Sequence, residues 1–231
     1  MSETKNHEHR TVSVYVYELP VRLWHWVTAA SVITLAVTGF LIATPPPTIA
    51  GDAADYFMMG YTRLIHFVAG YIFGIALLYR MYWALVGNKY ARELFYIRIW
   101  SRTWTTWLWH QIRWILFLEK RPLKYEGHNP MAHVAMFFLF VLPTFWQILT
   151  GFAMHAEAGD KDALMYLLFG WVIALFPNTQ DLHTWHHAGM WVLVCFALIH
   201  VYITVREDIM SRQSMISTMI SGERMFKDDL P

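Results

Sequence analysis

The sequence is poor in charge, and that shortage sets its class. Asp, Glu, Lys and Arg make up 15% of the 231 residues, against about 25% in an ordinary soluble domain. So few charges cannot wet a normal surface, and much of this one is expected to face lipid. The charges also nearly cancel, leaving a formal +1, which offers nucleic acid no basic footprint. Cysteine is scarcer still. Cys195 stands alone within an apolar run. That excludes a disulfide framework, a cysteine-ligated iron–sulfur cluster and a covalent CxxCH haem attachment. The first 20 residues lack the apolar core of a signal peptide, so insertion is expected to use internal segments. Residues 1–9 are expected to form a mobile tail.

What the chain has instead is apolar length. A helical span needs about 20 mostly apolar residues. Four segments qualify, at about 22–44, 62–86, 131–155 and 183–206. Pro45-Pro46-Pro47 ends the first and Gly87-Asn88 the second. A fifth apolar stretch, 163–176, is short and closes on Pro177-Asn178. It reads as a helix lying at the interface. Residues 104–119 mix Trp104, Trp107, Trp109, Trp114, Ile115 and Phe117 with Gln111, Arg113 and Glu119, the composition of an amphipathic helix on a leaflet surface. The 12 Trp and 12 Tyr suit membrane interfaces. The expected fold is all-α: a single integral membrane domain over 1–231, a four-helix bundle with interfacial helices.

The loops orient it. Lys89, Arg92, Arg98, Arg102, Arg113, Lys120, Arg121 and Lys124 lie between spans two and three. The loop between spans one and two has no Lys or Arg up to Tyr61, and that between three and four has Lys161. Positive charge marks the cytoplasmic side. Both termini and the basic loop are therefore expected in the cytoplasm, and an even number of spans agrees.

Four histidines fit this topology in pairs. His25 opens span one near the cytoplasmic face, and His66 lies near the outer end of span two. Span four carries His186 near the outer face and His200 near the inner one. The last two are 14 residues apart, which brings them to within roughly 40° of one helix side and about 21 Å apart along the axis. By depth, His66 pairs with His186 and His25 with His200. Two imidazoles from different helices, at one depth, can ligate a haem iron from both sides. Gly39, Gly70, Gly74, Gly151 and Gly189 provide the uncluttered helix surface that a flat macrocycle needs. Any one of these histidines alone would read as a polar residue near water, or as an interhelical hydrogen bonder. Four matched in depth and face read as ligands, and ionisable groups in spans mark function. His187 is adjacent to His186 but points about 100° away. Zinc is disfavoured at His66 and His186, because no carboxylate or thiolate is at hand to complete a tetrahedral site.

The motifs carry a resemblance. Residues 17–26, Tyr-Glu-Leu-Pro-Val-Arg-Leu-Trp-His-Trp, resemble the opening of the cytochrome b subunit of membrane-bound nickel–iron uptake hydrogenases. Further matches are residues 60–67, residues 87–95, Gly127-His128-Asn129-Pro130, residues 183–186, residues 200–202 and residues 206–210. Together they cover nearly the whole chain. The gamma subunit of formate dehydrogenase is similar at greater distance. The resemblance implies two haem b groups with His25, His66, His186 and His200 as axial ligands to their irons. It also implies a multi-pass location in the bacterial inner membrane. The partners it implies are the large and small subunits of a periplasmic nickel–iron hydrogenase, with the small subunit's C-terminal helix beside this chain. Electrons would enter the outer haem, pass to the inner one and reduce quinone. The chain itself would perform no catalysis on hydrogen. The quinone contact it suggests is His128 and Asn129, although Asn129-Pro130 is also a helix-start signal. A role for Arg63 at a haem propionate and one for His183 at the partner contact stay open beside plain surface roles.

Two other readings compete. One is a gamma-type subunit of formate dehydrogenase or of another periplasmic oxidoreductase. The other is a colourless transporter or anchor that uses histidine for protons.

Overall fold

The computed structural model describes residues 11–47, 56–97, 100–161 and 163–227. The expected tail at 1–9 and Arg98 of the basic loop lie outside these residues. Four helices are long and apolar enough to cross a membrane. These are α1 (Leu19–Ala43), α2 (Met58–Val86), a third span covering Pro130–Glu157, and α7 (Thr179–Ser211). Three of them begin three or four residues before their apolar stretches and the third span begins one before, at Pro130. The architecture is all-α but for two short strands, as expected from the four apolar spans.

The third span has internal structure. It opens as α4 (Pro130–Met136), widens into a π-helical turn at Phe137–Val141, and continues as α5 (Leu142–Glu157). Pro143 follows directly. Its ring removes an N–H and clashes with the preceding turn, and a wide turn just before it accommodates both effects.

Shorter elements complete the chain. Helix α3 (Arg102–Ile115) starts at Ser101, whose hydroxyl accepts the Trp104 N–H. It buries Trp104, Gln111 and Trp114 while Trp107 and Trp109 stay exposed, which is the amphipathic split its sequence suggests. Helix α6 (Leu164–Ile173) has 10 residues, too few to cross about 30 Å of hydrocarbon. A 3-10 turn, Ala91–Leu94, follows α2, and α8 (Met215–Ser221) follows α7.

The sequence reading did not find the strands β1 (Thr11–Tyr15) and β2 (Glu223–Lys227). They pair antiparallel with Val14 opposite Arg224, so the two ends of the chain meet in one ribbon. Gly222 turns the chain into β2 at φ +88°, a region that favours glycine. Its carbonyl accepts the N–H groups of Val16 and Tyr17.

The residues group into two compact units. One comprises the described parts of Met1–Arg22, Ala84–Val134 and Ile199–Pro231. It contains the ribbon, α3, α8 and the basic loop, and polar groups knit it internally. Buried Arg206 pairs with Glu207 at 2.6 Å, and Glu207 accepts the Trp114 indole N–H at 3.0 Å. Buried Arg224 donates to the carbonyls of Tyr125 and Gly127.

The other unit comprises Leu23–Trp83 and Ala135–Leu198. Its core lies where α5, α6 and α7 meet, at Ala153, Val172 and Leu182, with Leu149, Phe169 and Phe176 packed around them. Large apolar side chains such as Ile72, Ile75 and Leu78 are exposed on α2. This inverts the usual soluble pattern and fits a lipid surface.

Candidate functional site

Two histidine–threonine pairs of the same design stand in the Leu23–Trp83 and Ala135–Leu198 unit. On α2, His66 Nδ1 lies 2.8 Å from the Thr38 hydroxyl of α1. On α7, His186 Nδ1 lies 2.7 Å from the Thr150 hydroxyl of α5. Each threonine also donates its proton to the backbone carbonyl four residues back, Thr38 to Thr34 and Thr150 to Trp146, both at 2.7 Å. With that proton committed, each threonine oxygen accepts from the imidazole. The arrangement assigns Nδ1–H to both rings and leaves the Nε2 lone pair facing away. A neutral imidazole with its distal N–H anchored is the form that ligates iron.

The residue after each threonine is a glycine. A Cβ placed on Gly39 would stand 3.3 Å from His66 Cε1, and one on Gly151 would stand 3.2 Å from His186 Cε1. Gly70 faces open space on the turn after His66. Thus α1 and α5 present the same Thr-Gly step to two different histidine helices, the hydroxyl orienting the ring and the glycine clearing its edge. The sequence reading noted the glycines and missed both threonines.

His25 and His200 are both half-buried. His25 on α1 meets Trp26 edge-on, with ring centroids 5.1 Å apart. His200 sits on α7, fourteen positions after His186. A buried charge shares this unit with His25: Arg80 of α2 is 2% exposed, and its guanidinium lies 5.2 Å from the centre of the Trp24 ring. Sequence reasoning passed over Arg80, although a cation inside a span is itself a signal. His183 is exposed at the start of α7, and Arg63 lines an open, aromatic-walled depression with Tyr56, Phe57 and Phe67.

His128 and Asn129 sit at the start of α4. The Asn129 side-chain oxygen accepts the Ala132 N–H at 2.7 Å, so this residue caps the helix as its sequence allows. His128 contacts Tyr17, whose hydroxyl is 3.1 Å from Nε2 and 3.3 Å from Nδ1, and Glu93, whose carboxylate is 3.2 Å from Nδ1. Burial pushes the His128 imidazole down from its ordinary range, outweighing the pull of Glu93. Burial pushes the Glu93 carboxyl up, but the imidazoles of His128 and His133 outweigh it and hold the carboxyl well below the usual carboxylate range. Neither Glu93 nor His133 was singled out by the sequence reading, since nothing local joins positions 93 and 128.

Four membrane-length helices, two of them carrying imidazoles anchored at Nδ1 beside glycine-cleared surface, define a multi-pass membrane protein. Comparison with known proteins agrees. Residues 16–222 match the family model of the prokaryotic cytochrome b561. A protein of Azotobacter vinelandii, named a probable Ni/Fe-hydrogenase B-type cytochrome subunit, is 56% identical over 222 residues, 96% of this chain and 92% of that one. A Rhizobium leguminosarum protein of the same name is 54% identical, covering 94% of this chain and 90% of its own. The corresponding Escherichia coli K12 protein, named for hydrogenase 1, is 47% identical, covering 94% and 92%. This chain belongs to the prokaryotic cytochrome b561 family, and a b-type cytochrome implies haem b. The residues fit that group. The Thr38–His66 and Thr150–His186 pairs would offer it neutral imidazoles, beside which Gly39, Gly70 and Gly151 carry no side chain.

Proposed function

We propose that this chain is the transmembrane electron-transfer subunit of a hydrogen:quinone oxidoreductase. It would accept electrons from the iron–sulfur small subunit of a periplasmic nickel–iron hydrogenase and deliver them through two b haems to the quinone pool. When bound, haem supplies a reversible one-electron couple; the chain supplies ligation, orientation and insulation. His66 and His186 hold the outer haem, with Thr38 and Thr150 fixing their tautomers. His25 and His200 hold the inner one. The observation that carries this reading is the pair of matched His–Thr–Gly arrangements, because a proton-relay histidine has no need of a cleared ring edge or a fixed outward lone pair. The names of the relatives support the hydrogenase partner.

The remaining parts follow from the same reading. The chain works as one domain in the bacterial inner membrane, its outward apolar side chains in lipid and both termini in the cytoplasm. The ribbon joining β1 to β2 supports termini on one side. The small subunit's C-terminal helix docks alongside, with the large subunit beyond it. Quinone binds at the cytoplasmic start of α4, where the Asn129 side-chain amide can donate and the His128 ring could do so by exchanging its contact with Tyr17.

The test is to add hydrogen to anaerobic membranes holding the chain with its hydrogenase subunits. The sharp visible bands of reduced six-coordinate haem b should appear. In His66→Ala they should not, while His25→Ala should still show reduction of the outer haem. A pigment-free protein from haem-replete cells would contradict the proposal.

A further inference from the structure

The second histidine cluster has the chemistry of a metal site. Glu93 arrives on the 3-10 turn after α2, His128 on the loop before α4 and His133 on the first turns of α4 itself. Their ligand atoms all lie within 4.8 Å of one another. The Glu93 carboxylate oxygen Oε2 is 3.2 Å from His128 Nδ1 and 3.6 Å from His133 Nε2. Donors bound to one tetrahedral zinc at about 2.0–2.2 Å stand roughly 3.3–3.6 Å from each other. The two contacts to Glu93 fall close to that range, and all three donors lie within 4.8 Å of one another, before any ion draws them together.

We propose that Glu93, His128 and His133 bind one divalent transition-metal ion of the zinc class, with water in the fourth position.

Hydrogen bonding alone explains the cluster less well. His133 is 8% exposed, and neither of its ring nitrogens has a hydrogen-bond partner. Its approach to Glu93 is too long for a hydrogen bond. A buried imidazole without a hydrogen bond is costly, and an ion shared with Glu93 would give Nε2 a direct partner in place of its long approach. The surroundings also look built. The Tyr17 hydroxyl lies 3.1 Å from Nε2 and 3.3 Å from Nδ1 of His128, and so holds the ring in place against Glu93. The His128 backbone N–H donates to Glu93 at 2.9 Å. Gly127 lets the Glu93 carboxylate lie close against the loop, since a Cβ there would push that carboxylate aside. Buried Arg224 clasps the Gly127 carbonyl and so holds the loop. Two imidazoles with one carboxylate suit zinc, and disfavour calcium or magnesium, which take oxygen donors.

This site goes beyond the electron-transfer reading. It shares His128 with the proposed quinone contact, so metal loading and quinone access would compete there. Zinc binding is therefore measured without quinone, and a failed quinone contact leaves the result untouched.

The experiment uses the full-length, haem-loaded chain in detergent, carrying His7→Gln and His9→Gln so that tail histidines do not contribute. After chelator stripping, zinc is titrated against a chromophoric chelator, and zinc per chain is measured after desalting. The result expected is one zinc per chain. Glu93→Gln and His133→Gln should each weaken binding about 10- to 100-fold or more, whereas Glu126→Gln, at the exposed neighbouring carboxylate, should bind as the parent does. Unchanged haem spectra certify that the variants fold. A parent that retains no zinc would overturn the proposal and leave a hydrogen-bonded cluster only. Retention at parental affinity in both ligand variants would overturn it as well.

Discussion

Thr38 and Thr150 each hold a proton in place at one end of an imidazole so that the other end is free. Replacing either with valine keeps the shape and removes the acceptor. The Nδ1–H then faces an apolar group, and the ring loses both its orientation and its bias toward the outward lone pair. Loss of such outer-shell partners typically costs 10- to 100-fold in metal affinity. Thr38→Val and Thr150→Val are therefore expected to lower haem retention by about that factor and to shift the potential of the outer haem alone. Thr38→Ser should restore both. A pyridine haemochrome assay with a redox titration reads the outcome, and unchanged potentials would count against the positioning role. Gly151→Leu tests the other half of the arrangement. A side chain there meets His186 Cε1 already at its Cβ, 3.2 Å away, so the outer haem should be lost while the inner one remains. The histidines were legible in the sequence because depth and helical phase are both readable from spacing. The threonines were not. In apolar helices threonine commonly bonds its own i−4 carbonyl, so Thr38 and Thr150 look unremarkable until the neighbouring helix is seen beside them. The repeated Thr-Gly step, at 38–39 and 150–151, was the signal available.

At the scale of elements, the four spans were readable from hydropathy because lipid imposes a length on them. Helix α3 was readable from its alternation of tryptophan with polar groups, and α6 from its shortness. The β ribbon was not readable. Each strand has 5 residues, and the partners lie more than two hundred positions apart, so no local pattern announces the pairing. Gly222 is the joint that makes it possible. At φ +88°, and with a Cβ there falling 2.6 Å from the Tyr17 carbonyl oxygen, Gly222→Val should destabilise the ribbon by about 1–3 kcal/mol. Limited proteolysis at the chain ends, compared with the parent, measures this. Faster cleavage at both termini is expected, and cleavage at one terminus alone would contradict the pairing. The Trp114–Glu207–Arg206 contact was likewise invisible, since it joins α3 to the end of α7 through a buried indole N–H. Removing that donor in Trp114→Phe leaves Glu207 with one partner fewer, a loss of about 1.5–3 kcal/mol for a hydrogen bond to a charged group. A lowered thermal midpoint, followed by the haem bands, is the expected sign.

At the scale of the whole molecule, basic loops, an even count of spans and a ribbon between the two ends all argue for termini that share the cytoplasmic side. Reporter fusions at each terminus should both read cytoplasm, and a split result would break the depth pairing of the histidines. That pairing is the central claim, and haem counting tests it most directly. The parent chain, purified with its partner, should carry two haems per chain. His25→Ala, His66→Ala, His186→Ala and His200→Ala should each carry one, with His66→Ala and His186→Ala losing the same spectral component and the other two variants losing its counterpart. Two haems retained in all four variants would contradict the account.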